Sequence, residues 1–226
     1  RRGPAPAPTE ALALGPNGIY APALAAAAAQ SGLSAGAIAA LIDAEAAKTS
    51  DGRWDPKSDN PASTARGLAQ FLEGTWLDQA AHPARSLHRR AREAGLIAED
   101  GSVLDRAALL ALRDTPDLAI LAAAEMAADN LLALARLGYA PVDDQAAARL
   151  AYLAHHEGLA GAHAHLTGAT TAARAARRLT ANLADEGRVA QLVAAHGGAH
   201  HEAYAAWLEG YIEARIEPDR FRSVVN

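Results

Sequence analysis

Apolar positions recur at helical spacing along most of the chain, and short intervals rich in Gly, Pro, Asp and Ser separate them. That pattern predicts helices joined by turns. One helix is expected after Pro22. The next takes Ser34 as its N-cap and runs over 35–47, with Ile38, Leu41 and Ile42 on one face. Residues 49–61, dense in Asp, Gly, Pro, Asn and Ser, read as a loop with a small irregular hairpin around Trp54. Helical character resumes at Arg66. Pro83 opens a further helix ending near Gly95, a polar turn covers 95–102, and 105–113 forms a short helix. Thr115-Pro116 begins the longest helix, to about Leu137: proline at the first helical position and Asp117 in the first turn suit its start, and Gly138 suits its end. Residues 143–157 form a helix stopped by Gly158. Beyond it come shorter Ala-rich helices broken at Gly168, Gly187 and Gly197-Gly198. Residues 1–20, Pro/Ala-rich and closing on Gly15-Pro16-Asn17-Gly18, read as a flexible leader or linker that tethers the folded part to another domain.

Composition narrows the class. The 226 residues suit one domain of fair size with or without an appendage. Half of them are hydrophobic, but much of that is alanine, and aromatics are only 4%. Cores of Ala and Leu favour closely packed helices, so a mainly α protein with little sheet is expected. Cysteine is absent, which excludes disulfides and thiolate metal sites. A formal charge of -5 carries no electrostatic footprint for nucleic acid. No uninterrupted apolar run of about 18 residues occurs, so no membrane span is expected. His155, His156, His163 and His165 cluster in sequence, as do His196, His200 and His201, but no zinc-ligand spacing occurs. Surface histidines are the simpler account; neither a metal nor a cofactor is expected.

Glu45 is the first candidate for chemistry. It continues the face of Ile38, Leu41 and Ile42, while Asp43 lies on the opposite side. Burying a carboxylate is costly, and the last turn of a helix disfavours negative charge. Both effects raise its pKa, which suits a proton donor to a glycosidic oxygen. The alternative is an ordinary helix-end glutamate facing solvent.

The following segment adds a resemblance. Glu45, then Asn60-Pro61-Ala62, Gly67-Leu68-Ala69-Gln70 and Thr75-Trp76, in that order, is similar to the pattern of soluble lytic transglycosylase-like domains and phage-type muramidases of the lysozyme superfamily. Tyr152-Leu153-Ala154-His155-His156-Glu157-Gly158 resembles the family's third motif, with His155 standing where a tyrosine is usual. The chain departs from the pattern at Ala46, where a serine is usual, and at Ala69, where a methionine is. The Asp51-Gly52-Arg53-Trp54-Asp55 stretch lengthens the interval between Glu45 and Gly67. The resemblance covers 33–166. It implies a lysozyme-like catalytic domain over 21–166 carrying a C-terminal helical extension, 167–226, packed on it.

The resemblance further implies cleavage of the β-1,4 bond of peptidoglycan glycan strands, with Glu45 as general acid and base. Gly67 would let backbone approach the sugar, and Leu68, Gln70, Tyr152 and His155 would line the cleft. Trp54, Phe71 and Trp76 either stack on sugars or fill the core. Hydrolysis needs a second carboxylate, for which Asp51, Asp55 and Asp59 in the loop are candidates, or else solvated turn residues. Glu125 lies on the stripe of Leu118 and Leu121 and would face inward, pairing with His155 or Arg66, or reach water. Glu157 would line the cleft or stand exposed at a helix end. Without an obvious second acid, the lytic transglycosylase reaction with its 1,6-anhydro product is favoured over hydrolysis. The alternative is a non-catalytic, glycan-holding component of a phage particle or envelope machine. Such a substrate places the protein in the periplasm, outside the cell or on a phage particle.

Overall fold

Eleven α-helices and three 3₁₀ segments account for most of residues 11–223, the part of the chain described by the computed structural model. The mainly helical class follows, and among the described residues there are only isolated β-bridges. Two helices carry the core. The first, α2 (Ala35–Glu45), follows α1 (Ala21–Ser31), which stops at Gly32 in the left-handed conformation, φ 79°. Ser34 caps α2: its hydroxyl accepts from the Ala37 N–H at 3.0 Å and donates to Asp144 at 2.8 Å. A cap of this kind stabilises by about 1 kcal/mol. Every residue from Ala35 to Ile42 is buried. The helix is therefore enclosed on all sides rather than along the single stripe expected, and it comes into the open only in its last turn.

The second core helix is α6 (Pro116–Arg136), reached through α3 (Glu73–Ala81), α4 (Ser86–Glu93), α5 (Arg106–Ala111) and a 3₁₀ turn, Leu112–Asp114. By length and apolar composition alone, α6 could cross a membrane. Here it is a core helix, packed against α1, α4 and α7 (Asp144–Glu157) through Leu118, Ile120, Ala122, Ala123 and Ala127. Small alanines at these positions let the helix axes approach closely. Four more helices close the structure: α8 (Leu159–Leu166), α9 (Ala172–Leu183), α10 (Glu186–Ala195) and α11 (His200–Arg215). α11 packs on α9 and α7, and the 3₁₀ turn Pro218–Phe221 packs on α2.

Four boundaries differ from the sequence expectation. Residues 1–10 of the expected leader lie outside the described residues. Residues 11–20, expected to be linker, are folded: Ala13 N–H donates to Phe221 O at 2.8 Å, Leu12 pairs with Arg222, and Leu14, Asn17 and Tyr20 are buried. The helix expected from Arg66 begins at Glu73. Residues 66–71 form instead a turn closed by the Arg66–Phe71 bridge, because Gly67 and Gln70 both take positive φ. The helix expected from Pro83 begins at Ser86. Gly187 breaks nothing, since it lies inside α10. The chain turns before it, where Ala184 is left-handed (φ 49°) and Asp185 caps α10 by accepting the Arg188 N–H.

Candidate active site

Glu45, the last residue of α2, opens into a cleft of about 480 Å³. Ala44 and Glu45 form its base. The loop before α3 makes one wall with Asn60, Ser63, Gln70 and Leu72, and α7 contributes Tyr152, His155 and His156. Arg178 and Asn182 of α9 with Trp207 and Tyr211 of α11 complete the lining. Glu45 is the one carboxylate among the lining residues. Burial pushes its carboxyl pKa up, against the lowering effects of charge on His155 and of a hydrogen bond from Tyr152. The helix C-terminus adds to the upward push. Its acid form therefore persists above the ordinary carboxylate range, as general-acid work requires.

The neighbours of Glu45 are held in place. Tyr152 is buried, and burial together with the nearby Glu45 charge keeps its phenol protonated, so its hydroxyl donates. Its ring lies between His156 and Tyr211, at 5.8 Å and 5.9 Å. Tyr211 in turn donates to Ala44 O at 3.2 Å, fastening α11 to the end of α2. His155 donates its Nε2–H to Ala69 O at 3.0 Å, and its Nδ1 is buried without a hydrogen-bond partner among the described residues. Burial holds His156 at a pKa of about 4, neutral near pH 7. The Tyr152→Phe variant loses the one donor that favours the Glu45 carboxylate. Its pH–rate profile on cell walls is expected to keep activity to higher pH than the wild type, and an alkaline limb displaced the other way would contradict the assignment.

Gln70 sits at φ 47°, a left-handed conformation that costs a non-glycine residue about 1–3 kcal/mol. Its Nε2 donates to Ser58 Oγ and Gly67 O, both at 2.9 Å, and lies 3.2 Å from Ser58 O. The amide nitrogen is thus held by the loop, and the carbonyl oxygen is what the residue presents to a ligand.

Other expected site residues lie elsewhere. Trp54, 2% exposed, stacks on Tyr20 at 5.6 Å and donates its indole N–H to Asp43 at 2.8 Å; it is core, not a sugar platform. Leu68 is fully buried in the core. Gly67 is a glycine for its neighbour's sake: a Cβ there would stand 2.1 Å from Arg113 O. Phe71 and Trp76 pack on each other at 5.1 Å in the core, Trp76 donating to Leu109 O. Asp51, Asp55 and Asp59 do not line the cleft. Asp51 accepts from Thr49 and Arg53, which lower its pKa, and Asp55 caps the turn at Lys57 N.

Glu125 is 8% exposed and faces inward, but neither His155 nor Arg66 pairs with it. It accepts from Gln30 and from the N–H and hydroxyl of Ser86, capping the N-terminus of α4, while Arg66 pairs with Asp114 at 2.7 Å. Glu157, 7% exposed, is a junction of α7, α9 and α11. Burial pushes its pKa up, and this is outweighed by the Tyr204 hydroxyl and by Arg178 and Arg174, so the net direction is down. Neither glutamate lines the cleft. Among the described residues no three His, Asp or Glu side chains converge as a metal site would need.

Arg178, Asn182, Trp207 and Tyr211 line the cleft from outside the segments that carry the sequence resemblance. A usable signal was present: Tyr204, Trp207 and Tyr211 recur at helical spacing in a chain poor in aromatics. No protein-family model and no curated protein sequence matches the chain.

Proposed function

We propose that the chain cleaves peptidoglycan glycan strands at the bond between N-acetylmuramic acid and N-acetylglucosamine, by the lytic transglycosylase reaction. The observation that carries this reading is a cleft with a single carboxylate, Glu45, whose pKa is raised by burial. It is supported by the convergence on that cleft of Asn60, Gln70, Tyr152 and His155, drawn from the three segments that resemble the lytic transglycosylase pattern. A lysozyme-like arrangement of the helices belongs to the same proposal.

In the first step the Glu45 carboxyl gives its proton to the bridging oxygen as the bond to the muramyl C1 breaks, and the N-acetylglucosamine 4-hydroxyl leaves. The carboxylate then removes the proton of the muramyl 6-hydroxyl as that oxygen bonds to C1. This closes a 1,6-anhydro ring and restores the acid. One group of raised pKa serves both steps, so no second carboxylate is required. A hydrolase would need one to activate water or to trap the sugar. Mass spectrometry of digested sacculi is expected to show anhydromuramyl ends. Reducing muramic acid ends would show hydrolysis, and an unaltered sacculus would remove the reading altogether.

A further inference from the structure

The wall built by α9 and α11 carries a charge that a neutral glycan does not call for. Arg178 is the one lysine or arginine lining the cleft, and its side chain is 30% exposed. It is held from behind: Nε lies 2.9 Å from a Glu157 carboxylate oxygen, and Nη2 donates to His156 O at 2.7 Å. Its Nη1 makes no hydrogen bond among the described residues. Glu157 does not cancel this charge, because Arg174 shares the same carboxylate at 2.9 Å. Two guanidiniums on one carboxylate leave a net positive charge, and Arg178 is the member that reaches the cleft. His156 beside it is neutral near pH 7. Trp207, half-buried and stacked on Tyr204 at 5.8 Å, lines the same cleft. A guanidinium held from behind and an indole in one cleft suit a ligand that joins an anion to an apolar sugar face.

We infer that Arg178 is a specificity-determining residue that binds a carboxylate carried by the saccharide, so that the cleft selects acidic glycans over neutral ones of the same backbone. This rests on the glycan-cleaving reading above and adds the substituent that the cleft selects. In a peptidoglycan strand the carboxylate has two sources, the lactyl group of a bare muramic acid or the peptide stem, and the chemistry at Arg178 is the same for both.

Calorimetric titration of the Glu45→Gln protein, which binds without turnover, separates the outcomes. Three probes share a β-1,4 backbone: chitotetraose, the bare tetrasaccharide of alternating N-acetylglucosamine and N-acetylmuramic acid, and its peptide-bearing form. At low ionic strength one acidic probe is expected to bind about tenfold tighter than chitotetraose, the gain from one charge-assisted pair. Which acidic probe it is assigns the lactyl or the stem carboxylate. The preference should shrink in about 0.5 M NaCl, a readout that needs no second mutation. Adding Arg178→Gln should bring the affinities within about twofold of one another, whereas Arg178→Lys should retain most of the difference. Equal binding of all three probes by the parent overturns the inference and leaves the glycan reading standing. So does a preference that survives both salt and Arg178→Gln. Binding of none of them removes both.

Discussion

Replacing Glu45 with glutamine is expected to slow the clearing of cell-wall suspensions by about 10²–10⁴-fold, the range for loss of a positioned general acid and base. Gln keeps the shape and the hydrogen-bonding reach of the side chain but has no proton to give, and the cleft holds no other carboxylate to substitute for it. The same variant makes a second, opposite prediction. Because burial raises the pKa of Glu45 in the fold, the folded chain keeps a proton that the unfolded chain releases in the ordinary carboxylate range. Between those two values the folded state binds more protons, so stability falls as pH rises through the window. Glutamine carries no such dependence. The variant should therefore melt above the wild type near neutral pH, and the gap should narrow as pH falls toward the ordinary carboxylate range. An inactive variant that is also less stable at neutral pH would mean that the substitution had damaged the fold rather than the chemistry.

The parts of the molecule legible in the sequence are those fixed by local rules. Ser34 as a cap, Pro116 at a helix start, Asp143 ahead of α7 and Gly158 behind it are choices the nearby chain dictates. The position of Glu45 at the end of α2 followed from the same rules. What the sequence obscures is set by distant partners. The Leu68-Ala69-Gln70 run has helical character, yet Arg113 holds it as a turn by donating to Thr64 O and Phe71 O. Glu125 and Glu157 share with Glu45 the pattern of a carboxylate on an apolar face. Only the fold reveals that Ser86 and Gln30 satisfy one and two arginines the other, while Glu45 faces an open cleft. A buried glutamate in a sequence is thus a site or a strut according to whether its partners come from the protein. Trp54 illustrates the same ambiguity for aromatics: Asn17 and Asp43 take its two N–H groups and draw it into the core.

Gly67→Ala is expected to lower stability by about 3 kcal/mol, which for a chain of this size lowers the melting temperature by roughly 10 °C. Two costs add. The backbone at φ 78° is unfavourable for any side chain, and the new Cβ would stand 2.1 Å from Arg113 O. That carbonyl cannot retreat easily, because the Arg113 side chain is buried and pinned: Nε donates to Leu110 O at 3.0 Å and Nη1 to Thr64 O at 2.6 Å. Relieving the clash means prying the 64–71 turn off the Leu112–Asp114 segment, which displaces Gln70 and the cleft wall with it. Gly74→Ala, a few residues on, meets nothing within 4 Å inside a helix and should be neutral or stabilising by up to about 1 kcal/mol. The pair discriminates two roles for the Gly-Leu-Ala-Gln glycine. If Gly67→Ala loses cleavage while its melting temperature stays at the wild-type value, the glycine is there for a sugar to approach. If stability and activity fall together, it is there so that Arg113 can hold the wall.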